Sequence, residues 1–301
     1  MFKKEEQKYN LISYTNDEEL TLKEILLDKL KFSVRSLSKM KREHSVLVNG
    51  EYRKPNAKVI NGDLIEVKIE EDMANFESQD LNIEVLYDDF DLIMVNKPPF
   101  MVVHPTKSHI DKTIANGVTD YIIKNNEKIK IRFVNRLDMN TSGLVIVAKN
   151  AYAHYTLSKD MNEDKVKKTY ITVVKGIVKE NEGTINKPIY RQLEENSIKR
   201  IIDERGQASV THYKVIERLN DATILEVKLE TGRTHQIRVH MESIGYGIIG
   251  DELYGYVDKN LINRQALHAY SLEFEQPRTK EKLVFKAELP KDINELIEKL
   301  R

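Results

Sequence analysis

ASVTHYKVIERLNDATILEVKLE, residues 208–230, reads as two strands in succession, ASVTHYKVIER and then ATILEVKLE. Each alternates β-branched or apolar residues with polar ones, and no helical period separates them. Neighbouring strands joined without a crossover helix pair antiparallel, because a parallel pair needs a long connection. The pattern continues outward. IEVLY, LIMVNKP, LVIVAK, TYITVVKG, HAYSLEF and KLVFKAEL are further strand candidates, and helical stretches are expected near Asp111 to Lys124, Ala151 to Met161, Thr234 to Ile244 and Asp292 to Leu300. Strands crowd the second half without a helix between each pair. The sequence therefore predicts an α+β domain over residues 83–301, with a mixed, largely antiparallel sheet rather than a doubly wound one.

Upstream the texture changes. Leu22, Ile25, Leu26 and Leu30 recur at helical spacing, and a second helix is expected through Val34, Leu37 and Met40. SVLVNGEYR and KVINGDLIEVKI follow, each a strand-like stretch with an Asn-Gly turn signal. Residues 20–70 thus read as a small α/β module, residues 1–19 as an N-terminal extension and residues 71–82 as a linker.

The 301 residues carry 48 Lys plus Arg and 48 Asp plus Glu, a formal net charge of zero. At face value that balance argues against a polyanion partner. The distribution says otherwise. Lys29 to Lys58 holds nine basic residues against two acidic ones, a local charge of +7, whereas Glu70 to Asp91 holds nine acidic residues and no basic one. The acidic run, centred on EEDMANFESQD, marks the linker. The absence of cysteine excludes disulfides, thiolate metal sites and a cysteine nucleophile. No signal-peptide pattern opens the chain and no 18 apolar residues run together, so a cytoplasmic protein away from membranes is expected.

Two polar loops carry the chemistry. FVNRLDMNTSGLVIVAKN, residues 133–150, places Arg136, Asp138, Thr141 and Ser142 between two strand-like runs, with Gly143 to bend the chain. A structural turn, with Asp138 capping and Arg136 paired on the surface, is the competing reading. ETGRTHQIRVHM, residues 230–241, gathers Arg233, Thr234, His235, Gln236, Arg238 and His240 at a helix entry suited to an anion such as phosphate. His235 and His240 stand on different helix faces without a completing ligand, so hydrogen bonding within the fold is expected for them and no metal site is. Tyr170 opens a strand directly after Lys165, Lys167 and Lys168, where an aromatic ring could stack on a nucleobase.

Taken together, N-R-L-D-M-N-T-S-G, K-K-T-Y-I-T-V-V-K-G and T-G-R-T-H-Q-I-R-V-H-M, in this order, resemble the RluA/RluD-type pseudouridine synthases. V-N-K-P-P-F-M-V-V-H-P (95–105) and A-L-H-A-Y (266–270) look like that family's flanking motifs, and the basic module resembles its small N-terminal RNA-binding module of ribosomal-protein type. The resemblance spans roughly residues 20–300. It implies that Asp138 is the catalytic aspartate, Tyr170 packs against the target base, Arg238 pairs with the aspartate and Arg136 helps hold the nucleotide out of its helix. Arg233 and Ile237 join the substrate-binding set, and Arg35, Lys39, Lys41 and Arg42 contact RNA. One departure is Asn135, where the family usually has His.

The implied reaction detaches uracil from ribose, turns it and rejoins it through carbon, an isomerisation that needs no cofactor. One carboxylate must attack the sugar carbon or remove a sugar proton, and a guanidinium beside it would hold it charged. A uridine inside a helix is unreachable, so it must be flipped out or single-stranded. The expected partner is structured RNA, ribosomal in preference to transfer RNA, with no DNA and no membrane, and a monomer suffices. Two other readings fit the residues less well. A non-catalytic RNA-binding protein is disfavoured by the intact Asp138, Tyr170 and Arg238, and a glycoside hydrolase by the single acidic residue in its loop. On this view the acidic linker keeps the chain from gripping RNA indiscriminately.

Overall fold

The computed structural model describes residues 2–69, 76–192 and 198–301. In the N-terminal part β1 (Leu11–Thr15) and β2 (Leu20–Thr21) precede α1 (Leu22–Glu24), which runs on into a π turn over Ile25–Lys29. Then come α2 (Val34–Glu43), β3 (Val46–Val48), β4 (Glu51–Tyr52), β5 (Lys58–Val59) and β6 (Leu64–Lys68). Thr21 and Glu24 form a capping box that starts α1, and the Ser33 hydroxyl caps α2 through the Ser36 N–H. Both helices press their apolar faces onto an antiparallel sheet of order β1-β6-β3-β4, burying Leu22, Ile25, Leu26, Leu37 and Met40.

Two local expectations change. Residues 11–15, read from sequence as part of an extension, pair along their whole length with β6 and belong to the module's sheet. The two Asn-Gly signals also part ways. Asn49 and Gly50, both at positive φ, close a hairpin between β3 and β4, whereas β5 pairs with β2 and not with β6.

The body contains β7 (Glu84–Asp88), β8 (Leu92–Lys97), α3 (Ile114–Lys124), β9 (Arg132–Phe133), β10 (Ser142–Ala148), α4 (Ala151–Asn162) and β11 (Lys167–Lys175). It continues through β12 (Glu182–Asn186), β13 (Ile189–Arg191), β14 (Arg200–Ile202), β15 (Val210–Arg218), β16 (Ala222–Leu229) and α5 (Gln236–Glu242). β17 (Leu267–Glu275), β18 (Lys282–Lys286) and α6 (Lys291–Leu300) complete it. Ten strands form one sheet of order β12-β15-β16-β11-β17-β10-β8-β7, with β18 on β17 and β9 on β10. Every pairing in it is antiparallel except the short parallel contact of β10 with β17. The sheet is covered on both faces around β8. Leu92 and Met94 join the core that holds Leu157 of α4, while Ile93 and Val95 join the one that holds Ile114 and Val118 of α3. That two-sided burial is why LIMV and LVIVA are continuously apolar rather than alternating.

Module and body are joined by buried contacts. Arg278, fully buried in the turn between β17 and β18, pairs with the equally buried Asp91 at 2.8 Å. Its Nη1 donates to the Gln7 side chain (3.0 Å) and to the Lys8 (3.0 Å) and Leu11 (2.7 Å) carbonyls. Tyr152 of α4 packs into the module's core against Phe32, ring centroids 5.0 Å apart. Glu70, Glu71 and Asp72 of the acidic stretch lie outside the described residues. Glu77 and Gln79 within it are hydrogen-bonded to α3 through Asn116.

Candidate active site

The loop between β9 and β10 is held mainly through its backbone. Asn135 turns its amide onto β10, donating to the Leu144 carbonyl (3.1 Å) and accepting from the Ile146 N–H (2.8 Å), so it takes the place of strand pairing. Lys97 is buried at the end of β8, and its ammonium donates to the carbonyls of Pro98 (2.8 Å), Met101 (2.7 Å) and, in the loop, Met139 (2.8 Å). Burial, with Arg264 nearby and opposed by Asp138, draws the Lys97 pKa down to about 7. Arg264, also buried, donates to the next loop carbonyl, Asn140 (3.0 Å), and is itself clamped by Asp292 of α6 at 2.6 and 2.9 Å. Gly143 ends the loop at φ 113°, where a β-carbon would lie 2.3 Å from the Ala269 carbonyl oxygen of β17.

This frame points Asp138 into a recess of about 70 Å³ that opens on a cleft of about 540 Å³. Asp138 Oδ2 accepts from Arg238 Nη1 at 3.0 Å. The rest of that guanidinium is held by Asp251, which takes Nε at 2.6 Å and Nη2 at 2.8 Å and is fully buried. Among the described residues none donates to Asp138 Oδ1. One carboxylate oxygen is therefore held and the other is not. Burial works against the Arg238 charge, but Asp251 and Asp138 outweigh it and raise its pKa. Tyr170 lies beside them on β11, where the pairing with β17 slips by a residue between Thr169 and Tyr170. Such a bulge re-aims side chains next to a site. Burial, and then the Asp138 charge, push the Tyr170 phenol well above its ordinary value, so it is a protonated aromatic surface at neutral pH.

Asp138, Arg136, Tyr170, Arg233, Ile237 and Arg238, singled out in the sequence, all line this recess. Arg136 is exposed in the cleft with no ion-pair partner among the described residues. His240 is a fold histidine, bonded to Thr211 and to the Lys187 carbonyl. His235 stands closer to the chemistry, its Nε2 3.9 Å from Asp138 Oδ2. Arg35, Lys39, Lys41 and Arg42 lie elsewhere, all exposed on α2 of the module. Sequence reasoning did not single out Asp251, Tyr254, Lys97 or Arg264. Lys97 and Arg264 stand in or beside the quoted flanking stretches, where a polar residue next to a buried strand was the available signal. Lys168 also lines the cleft, largely buried and without an ion-pair partner among the described residues.

Residues 91–243 match the family described as RNA pseudouridylate synthase. An uncharacterized RNA pseudouridine synthase of Bacillus subtilis is 40% identical over 86% of this chain and 87% of its own length. The chain belongs to the RNA pseudouridine synthase family. This synthase is also 37% identical, over 90% of its length and 87% of the relative's, to the ribosomal large subunit pseudouridine synthase D of Vibrio cholerae. Among solved structures it resembles human RNA pseudouridylate synthase domain containing 1, with a TM-score of 0.59 at 27% identity over 70% of this chain and 85% of that one. The synthase is an isomerase that makes pseudouridine in RNA, and its α+β fold is that of its structural neighbours. Among its described residues no helix is long and apolar enough to cross a membrane.

Proposed function

We propose that this synthase modifies uridine in ribosomal RNA, that Asp138 is its catalytic carboxylate, and that the basic module, residues 20–70, helps bring the RNA to the cleft. The observation behind the catalytic reading is the asymmetric hold on Asp138, with Oδ2 bound by Arg238 and Oδ1 without a donor among the described residues. Attack on the ribose C1′ and removal of a C2′ proton both need an ionised carboxylate with one free oxygen. The reaction then breaks the C1′–N1 bond and joins C1′ to C5. C5 loses a proton and N1 gains one, so the atoms balance without a second substrate.

Tyr170 supplies a flat face for the extruded uracil, offsetting part of an unstacking cost of a few kcal/mol. Arg136 and Arg233, both exposed, supply cations along the cleft for the flanking phosphates. Support for a ribosomal target comes from the name of the Vibrio cholerae relative and from the exposed basic face of α2.

Asp138→Asn tests the assignment. Mapping pseudouridine across total RNA should show the wild-type sites missing in cells carrying the variant, with RNA affinity of the purified protein within about twofold of wild type. Turnover by the variant would remove Asp138 from the mechanism, and sites confined to transfer RNA would overturn the ribosomal reading.

A further inference from the structure

His235 ends the loop before α5 in the left-handed region, at φ 59°, a conformation that a non-glycine residue holds only when its surroundings enforce it. Its ring is largely buried in the recess. Nδ1 lies 3.0 Å from the Tyr254 hydroxyl oxygen and Nε2 lies 3.9 Å from Asp138 Oδ2. The Tyr254 hydroxyl already accepts the Arg200 N–H at 2.6 Å. If the ring donated through Nδ1, the tyrosine proton would have no acceptor among the described residues. With the hydroxyl donating to Nδ1, every proton is placed and the imidazole carries its hydrogen on Nε2, facing Asp138.

Burial favours the neutral ring. Desolvation of the ring lowers its pKa, Asp138 opposes this, Arg238 and Arg200 add to it, Asp251 opposes it least, and the net direction is down. Tyr254 is itself fixed, its ring beneath the Arg238 guanidinium at 5.1 Å and its N–H bonded to Asp251. The same buried aspartate thus anchors both groups that face Asp138 Oδ2.

We propose that His235 is a positioning residue for Asp138. When uridine fills the recess the neutral Nε2–H closes on Oδ2, and with Arg238 it pins that oxygen so that Oδ1 alone meets the ribose. Catalytic hydrogen bonds are often long in a free site and tighten with substrate bound. This inference rests on Asp138 being the catalytic carboxylate.

The test measures tritium release from total RNA, labelled at uridine C5 and taken from cells lacking the synthase, in single turnover with enzyme in excess. His235→Phe keeps the ring's bulk without a donor, and His235→Gln restores an N–H near the Nε2 position. His235→Phe should slow the saturated rate about 10- to 100-fold, with the half-saturating enzyme concentration within twofold of wild type. His235→Gln should recover most of that loss. Tyr254→Phe should be slow by itself and add nothing to His235→Phe, since both act through one hydrogen bond. Circular dichroism checks that each variant is folded. A wild-type rate in His235→Phe, an equal loss in His235→Gln, or additive effects of the two sites would overturn the proposal. Activity in Asp138→Asn would instead overturn the reading beneath it.

Discussion

His268 illustrates how much one side chain near the site does without touching substrate. On β17, fully buried, it donates from Nε2 to the Ala287 carbonyl at 3.0 Å and accepts the Ser142 hydroxyl at Nδ1, 2.9 Å away, just after the Asp138 loop. Burial lowers its pKa from the ordinary 6.5. The folded chain keeps it neutral while the unfolded chain takes up a proton as the pH falls through 6.5, so its stabilisation is whole above that pH and is lost on acidification. Urea unfolding at about pH 8 and about pH 5.5 should therefore show a larger loss of stability in wild type than in His268→Gln. Residues of this kind divide the site by legibility. Asp138, Tyr170 and Arg238 stand in runs whose residue types announce chemistry. Asp251 and Tyr254 sit in DELYGY, a loop with no periodicity, and their roles exist only once that loop folds against α5.

Among elements, the Asp138 loop depends on a helix far away in sequence. Asp292, in the first turn of α6, holds Arg264, and Arg264 holds the Asn140 carbonyl two residues from Asp138. Asp292→Ala would leave a buried guanidinium half paired. We expect a loss of about 2 kcal/mol of stability, discounted because Asp292 is partly exposed. The saturated single-turnover rate should fall about tenfold at unchanged half-saturation, since small misplacements of a reacting group are costly. Chemical denaturation and the tritium-release assay read the two effects, and an unchanged rate in a destabilised variant would confine α6 to a structural role. The strands themselves were legible because period two and long apolar runs are strong signals. The pairing of β5 with β2 was not, because a turn signal at Asn61-Gly62 names the bend but not the partner. The bulge at Thr169 and Tyr170 was equally silent, since register is decided by the neighbouring strand.

For the molecule as a whole, net charge is the misleading quantity and its placement the useful one. The four cations of α2 are exposed on the module, where Glu43 is the acidic neighbour of Lys39 and Arg42. Replacing Arg35, Lys39, Lys41 and Arg42 together by Ala should lower the slope of log affinity against log salt by about one for each phosphate contact removed. A slope equal to wild type, measured by filter binding across salt, would show that this face does not grip RNA. The tie between module and body had no sequence signature, because Gln7 and its partner Arg278 are 271 positions apart. That separation has a consequence for how the protein folds. A contact across that many positions closes a long loop of chain, whereas β1 meets β6, and β17 meets β18, over far shorter separations. We expect the Arg278 tie to form after the local pairings on either side of it, so that Arg278→Met should speed unfolding more than it slows refolding, as stopped-flow denaturant jumps would show.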